Sequence, residues 1–552
     1  MTSLMESHCL SFREIPHTTK LFSSFLEDFS AVSKYYSHPP TVEGTLAAAK
    51  QVRLDPATRR SVAELLREQN AQLAPGGALD SVTARNLDRL AAGAAAIVTG
   101  QQVGLFSGPG YSIYKMASIL RMAEEVTRRG TDAVPVFWLA TEDHDLAEVN
   151  HVYWNSRAGL VRHELPDSQS AIGRRVGEIA LGDPIAPLVE SAAGSFEGGF
   201  SRETARVLRE SYTPHDTFGT AFGKLMARIF AGRGVIFIDP LHPRLHHLVA
   251  PVYLRALEES AGLRDALLAR AHDLESSGFH AQVKVTGEST LLFYNVDGRR
   301  QAVRARDGRF FAGDTWFSPA EMAVSARSRS EAFSPSVLFR PIVQDSLLPT
   351  AAYIGGPAEV AYMAQVQVVY QHFLGRMPAI LPRSSFTIVE PAIARFLSKF
   401  ELTFRDFLQG PQHVRATMER KAVPEDLARR FDADEKNLRA TLESYAASIE
   451  KLDRTLLGTL ESSTEKMLHQ FGKLKEGVGR ALNFRTGVLD NKQRILFDSL
   501  YPNHELQERS LCGLPYLAKF GPQLLDTLIR FSSPPGAEGN ASCAHQHHVL
   551  FL

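Results

Sequence analysis

The sequence predicts an α/β protein: a parallel-sheet core interrupted by two insertions and followed by an antiparallel helical arm. Three observations predict it. Short apolar runs bounded by glycine or proline alternate with amphipathic stretches, as strands buried on both faces between helices should read. Two Asp-Gly pairs, Asp297-Gly298 and Asp307-Gly308, separate short alternating runs, the signature of a small antiparallel meander. Further on, Leu438, Leu442, Tyr445, Ile449, Leu452 and Leu456 step by four and three, a coiled-coil seam.

Taken in order, the first hundred residues read as helical, with long runs over 57–69 and 78–92. Residues 94–99 (AAAIVT) are the expected first strand, followed by a glycine-bearing turn and a helix over 113–128. Residues 134–140 (VPVFWLA) give a second strand, 234–239 a third and 379–381 a fourth. The gaps between them are too long for simple crossovers, so two insertions are expected, 160–218 and 278–333. The core is then 1–159, 219–277 and 334–423, with the arm at 424–500. Pro424 suits a first helical turn. Ser462-Ser463-Thr464-Glu465 offers a capping box, after which Met467, Phe471, Leu474 and Val478 resume the spacing. Two helices joined by a turn near 458–463 is the preferred reading, and one long helix with a stutter the alternative. Residues 501–552 are expected to pack back on the core, ending in a loosely held tail.

At 552 residues the chain exceeds a single simple core. Its 61 basic and 61 acidic residues balance, which argues against a dedicated nucleic-acid binder. The three cysteines, Cys9, Cys512 and Cys543, show no paired spacing, which suits a reducing compartment. No signal peptide and no run of roughly 20 apolar residues is present. A cytoplasmic protein without membrane contact is expected.

Ligands of open α/β sheets bind beyond the carboxyl ends of the strands, so the segments there carry the functional expectation. In TGQQVGLFSGPGYSIYK, Thr99, Gly100, Gln101, Gln102, Gly104, Gly108, Tyr111 and Lys115 could form an anion or substrate site. It matches neither a Walker A loop nor GxGxxG, and a turn used only for tight packing is the alternative. In TEDHDLAEVNH, Glu142, Asp143, His144 and Asp145 place three carboxylates and an imidazole together, with Asn150 and His151 following. That group suits amine binding or acid/base chemistry better than a metal, since adjacent residues rarely converge on one ion. The bland reading is a solvated helix start. A third segment, 340–365, offers Asp345, Tyr353, Gly355, Gly356 and Glu359 as a pocket wall, and Arg383 and Ser384 could reach an anion. The run Cys543-Ala-His545-Gln-His547-His548 looks metal-like but sits at the tail. Cys512 is expected to be a buried thiol.

Together, VTGQQVGLFSGPGYSIYKMASI, PVFWLATEDHDLAEVNH, RPIVQDSLLPTAAYIGGPAEVAYMAQ and LPRSSFTIVE resemble the cysteine-adding enzymes of bacillithiol biosynthesis, also called cysteine ligases. The resemblance covers nearly the whole chain. It implies a Rossmann-like core related to nucleotidyltransferases and class I synthetases, two connecting insertions and a coiled coil that forms a homodimer. It also implies the last pathway step, in which cysteine is added through its carboxyl to the amine of glucosaminyl malate. Neither HxGH nor KMSKS occurs here, as is typical of the family. The resemblance therefore leaves open whether ATP activates the cysteine, and no metal is expected. The Glu142–Asp145 group would bind the cysteine ammonium or deprotonate the attacking amine. A nucleotide-binding scaffold that needs a partner is the competing expectation, and a true aminoacyl-tRNA synthetase is disfavoured.

Overall fold

The computed structural model describes residues 7–156, 159–166, 171–421, 425–486, 488–532, 534 and 543–552. The chain forms two compact units. The larger comprises Cys9–Phe386 and Glu508–His548; the smaller is built mainly from Thr387–Gln507.

In the larger unit β1 (Ala95–Gln102) and β2 (Ala133–Ala140) are followed by a hairpin, β3 (His151–Ser156) and β4 (Gly159–Glu164), and then by β5 (Ile236–Ile238). Next come β6 (Ser289–Val296), β7 (Arg299–Arg306), β8 (Arg309–Ala312), β9 (Thr315–Phe317) and β10 (Phe333–Pro335), and lastly β11 (Thr350–Gly355) and β12 (Ala379–Pro382). The core is a parallel sheet in the order β12–β11–β1–β2–β5. Ile97, Val98, Val134, Val136 and Phe137 are all fully buried in it. Both faces are covered, which is why these strands read as continuous apolar runs.

Chain order reverses between β1 and β11, so a crevice opens at their carboxyl ends. Helix α1 (Tyr111–Arg128) follows β1, α2 (Pro243–Glu258) follows β5, and α3 (Arg340–Leu347) and α4 (Pro357–Leu374) flank β11. The expected meander is present: β9–β8–β7–β6–β10 form an antiparallel sheet. Asp297, Gly298, Asp307 and Gly308 all have positive φ (51°, 79°, 50° and 71°), as tight hairpins require.

Several expectations need correction. The first strand runs to Gln102 rather than Thr99, because its ladder with β2 continues as far as Gln102 opposite Ala140. A fifth core strand, β11, lies in the segment expected only as a pocket wall. Its sequence TAAYIG is short, small and polar at one end, so periodicity does not announce it.

In the smaller unit α5 (Glu425–Ser444) and α6 (Ala446–Leu452) are joined by a turn to α7 (Leu457–Thr486), and α8 (Val488–Leu500) comes next. Phe431 on α5 packs edge-on against Phe471 on α7 at 5.5 Å, and Lys475 pairs with Asp432 at 2.6 Å, so after the turn α7 folds back alongside α5. The turn lies at Asp453, whose carboxylate accepts the Thr455 N–H at 2.8 Å, and not at 458–463. The expected capping box at 462–465 is inside α7. Pro424 lies outside the described residues.

The end of the chain is also corrected. Residues 535–542 lie outside the described residues, but 543–552 are packed, not loose. His547 is fully buried, with Nδ1 2.7 Å from Ser385 Oγ, and Cys543 is disulfide-bonded to Cys9. A spacing of 534 residues conceals such a pair in sequence; the fold brings the two segments together. Cys512 is the buried thiol expected, and burial raises its pKa to about 11.

Candidate functional site

A cleft of about 700 Å³ occupies the crevice at the switch point. Three strand ends build it. Gly100, Gln101 and Gln102 come from the end of β1, Glu142, Asp143 and His144 from the loop after β2, and Tyr353, Gly356 and Glu359 from β11 and the start of α4. Residues of the meander and of 335–338 close the opposite side.

The two glutamines organise the floor. The Gln102 amide donates to Asp143 Oδ2 at 2.6 Å and to Glu148 Oε2 at 2.9 Å, using both its hydrogens to hold two carboxylates. Gln101 Oε1 accepts from Lys115 Nζ at 3.0 Å. Lys115 also donates to the Gly100 carbonyl at 2.7 Å and meets Glu359 Oε2 at 2.5 Å. An ammonium has three N–H groups, so this one is fully engaged by protein. Burial lowers the Lys115 pKa, with Glu359 opposing. Burial works to raise that of Glu359, but Lys115, the Gly356 N–H and the Tyr353 hydroxyl outweigh it and hold the carboxyl below its usual range. Lys115 is thus a structural cation rather than a hand for a phosphate.

Asp143 also accepts the backbone N–H of His144 at 2.7 Å. Burial acts to raise its pKa; the hydrogen bonds from the Gln102 amide and the His144 backbone and the charge of Arg300 overcome this and keep it well below the ordinary carboxylate range. Arg300, on β7, reaches across with Nη1 2.9 Å from His144 Nδ1, while Asp143 Oδ1 lies 3.5 Å from the same nitrogen. A guanidinium can only donate, so the shorter contact sets the imidazole. Nδ1 turns its lone pair to the guanidinium, which leaves the ring hydrogen on Nε2. Arg300 is itself fixed by donation to Ser334 Oγ at 2.9 Å and to the Pro335 carbonyl at 2.7 Å, over the Phe293 ring.

The glycine-rich turn contributes less than its composition promises. A Cβ on Gly100 would stand 3.2 Å from the Trp138 carbonyl oxygen, so this glycine lets β1 and β2 approach. Gly104 and Gly108 stay off the cleft wall, and the Gly110 N–H is taken by the Leu511 carbonyl at 2.7 Å. Phe106 and Ser107 hold positive φ, yet both are buried, and Cys512 Sγ donates to the Phe106 carbonyl at 3.0 Å. The loop is a packing device, and only its two ends face the cleft.

Other expected residues also fall elsewhere. The Thr99 hydroxyl donates to the Ile354 carbonyl at 2.7 Å, and Asp345 is buried against Tyr370 and Gln344. Asp145 caps a short helix by accepting the Glu148 N–H at 3.3 Å and is exposed. Asn150 and His151 bond to each other at 3.1 Å, outside the lining. Gly355 and Ser384 are likewise outside it. Arg383 lines the cleft, but its guanidinium donates to Glu508 at 2.7 Å in a buried pair. The charged lining residues that sequence reasoning missed are mainly basic: Arg300, Arg340, Arg304, Arg509 and Lys284, together with Glu148. Three of them sit in the meander segment, where nothing but the Asp-Gly turns stands out.

Two family models match: "Bacillithiol biosynthesis BshC, N-terminal Rossmann-like domain" over residues 5–384 and "Bacillithiol biosynthesis BshC, C-terminal coiled-coil domain" over 386–538. This chain belongs to the BshC family. It is 38% identical to a protein of Koribacter versatilis, covering 94% of this chain and 97% of that one. It is 34% identical to one of Solibacter usitatus over 94% and 96%, and 33% identical to one of Salinibacter ruber over 92% and 93%. All three carry the name "Putative cysteine ligase BshC". The family thus has the Rossmann-like and coiled-coil parts that the sequence implies. Among the described residues no helix is long and apolar enough to cross a membrane.

Proposed function

We propose that this chain is a ligase of bacillithiol biosynthesis that joins the carboxyl of L-cysteine to the glucosamine amine of glucosaminyl malate, the last step to bacillithiol. The convergence of the Gln101-Gln102 strand end and the Glu142–His144 loop on one cleft carries this reading. An amide-forming site must hold an amine beside an activated carboxyl, and this cleft sets acceptors on one wall against donors on the other. Arg340 donates to Gln344 and Tyr362, whereas Lys284, and Arg304 beside Glu288 at 3.9 Å, are exposed cations on the rim. They suit the malate carboxylates. A free carboxylate does not acylate an amine unaided; ATP is proposed as the activating co-substrate, leaving an acyl phosphate or acyl adenylate for the amine to attack. The coiled coil is proposed to pair two copies of the chain.

The test is direct. Purified protein with cysteine, glucosaminyl malate and ATP should yield bacillithiol by mass spectrometry, with ADP or AMP released in equal amount. Absence of product with ATP and with every other activated cysteine donor tried would overturn the reading.

A further inference from the structure

The Glu142–Asp145 loop offers four candidates for accepting the proton that an amine must lose when it becomes an amide, and the geometry separates them. Asp143 is committed to Gln102 and to the His144 backbone. His144 has its Nδ1 lone pair facing Arg300, so Nε2 presents a hydrogen and acts as a donor. Asp145 is exposed, caps a helix and lies off the cleft wall. Glu142 is different. It lines the cleft, is only 6% exposed, and accepts no hydrogen bond from any described residue. Its Oε1 is a buried, unpartnered acceptor facing His246 Nε2 at 3.8 Å, which is unpartnered too. Buried polar atoms in a folded protein are nearly always satisfied, so this orphaned pair, of which only Glu142 lines the cleft, leaves the Glu142 carboxyl with no fixed hydrogen-bond partner among the described residues.

We propose that Glu142 is the general base for the attacking amine. This deepens the ligase reading and rests on it. In the step, the nitrogen lone pair forms a C–N bond to the carboxyl carbon of the activated cysteine. The C–O bond to the phosphate or adenylate leaving group breaks, and the N–H proton passes to the Glu142 carboxylate. His144 lines the same cleft, and its Nε2–H is suited to donate to the oxygen on which charge gathers.

The surroundings of Glu142 fit the task. Arg175, Arg300 and Arg340 draw its pKa down, Asp239 pushes it up, and Tyr253 and His246 stand on α2 behind it. Burial dominates and raises the carboxyl to about 7, where a base works best near neutral pH. His246 is kept neutral by the same burial, its pKa lowered to about 3.

The experiment is the pH dependence of kcat for the wild type, Glu142→Gln and His144→Gln. The wild type should show a limb that rises with pH through about 7. In Glu142→Gln, kcat should fall about 100-fold or more while KM for both substrates stays within a few-fold, and the limb should vanish. His144→Gln should be slower but keep the limb. Infrared difference titration gives a second reading: a carboxyl band that titrates near pH 7 in the wild type and is missing in Glu142→Gln. A folded Glu142→Gln enzyme with an unchanged limb, or a wild type with neither limb nor band, overturns the inference alone. A wild type that makes no product overturns the ligase reading and the inference with it.

Discussion

Arg300 Nη1 lies 2.9 Å from His144 Nδ1, a contact between the meander inserted into the core and the loop after the second core strand. It chooses the tautomer of the imidazole, and a lysine cannot reproduce it, because the fork that also reaches Ser334 and Pro335 is lost. Arg300→Lys should therefore reduce kcat about 10- to 100-fold, with only a modest fall in thermal midpoint from the lost bonds to Ser334 and Pro335, since charge and stem volume persist. Steady-state kinetics beside a melting curve checks this. Full activity in Arg300→Lys would show that the tautomer lock is not needed.

Much of this site is legible in the sequence, and what is not has physical causes. Glu142, Asp143 and His144 stand out because polar residues directly after a long apolar strand have few structural reasons to be there. Arg300 does not, because its partner is 156 residues away and no local pattern encodes that distance. The glycine-rich turn misleads: glycines demanded by strand approach, as at Gly100, look the same in sequence as glycines that admit a ligand. The fold divides the same way. The meander and the arm are periodic and local, so their patterns show directly. The Thr350–Gly355 strand is buried by its neighbours rather than marked by its own residues, and it stays hidden.

The buried chain end predicts a pH effect. Burial lowers the His547 pKa from an ordinary 6.5 to about 4. The unfolded chain thus binds a proton here that the folded one refuses, and stability is lost as pH falls below about 6.5. His547→Asn can keep the bond to Ser385 without titrating. Relative to that variant, the wild type should lose about 2 kcal/mol between pH 7 and pH 5, at about 1.4 kcal/mol per pH unit. Urea unfolding at the two pH values measures it, and a constant gap would contradict it.

The Cys9–Cys543 bond closes a loop spanning nearly the whole chain, which makes its removal costly in the chain-entropy view. Non-reducing peptide mapping should recover the two cysteine peptides joined. Reduction, or Cys9→Ser, should cost about 2 to 5 kcal/mol in denaturant titration. Equal stability with and without reductant would mean that packing of the chain ends needs no covalent tie.

Along the arm, Leu452 is 84% exposed, Leu474 58% and Tyr445 54%. Apolar side chains in such numbers on one slender hairpin suit a second copy better than water. Light scattering should give twice the chain mass, and Leu474→Asp with Leu452→Asp should give the single chain. A monomeric wild type would exclude the proposed pairing.

Lys115 and Glu359 make the sharpest stability prediction. The lysine side chain is 4% exposed and its charge is matched only inside the protein, by Glu359 and two oxygens from the first core strand. Removing one partner of a buried pair strands the other charge, at a cost of about 3 to 5 kcal/mol, whereas removing both can approach neutrality. Lys115→Met alone should therefore lower unfolding free energy by about 3 kcal/mol or more. Lys115→Met with Glu359→Gln should recover a good part of the loss, because the neutral amide keeps the shape that meets Tyr353 and Gly356. A double-mutant cycle by chemical denaturation decides the matter. Were Lys115 instead a ligand hand that the ion pair merely parks, the single variant would fold with near-normal stability and lose substrate affinity, raising KM. The three filled N–H positions of the ammonium predict the reverse: stability falls, and whatever protein remains folded binds with nearly normal KM.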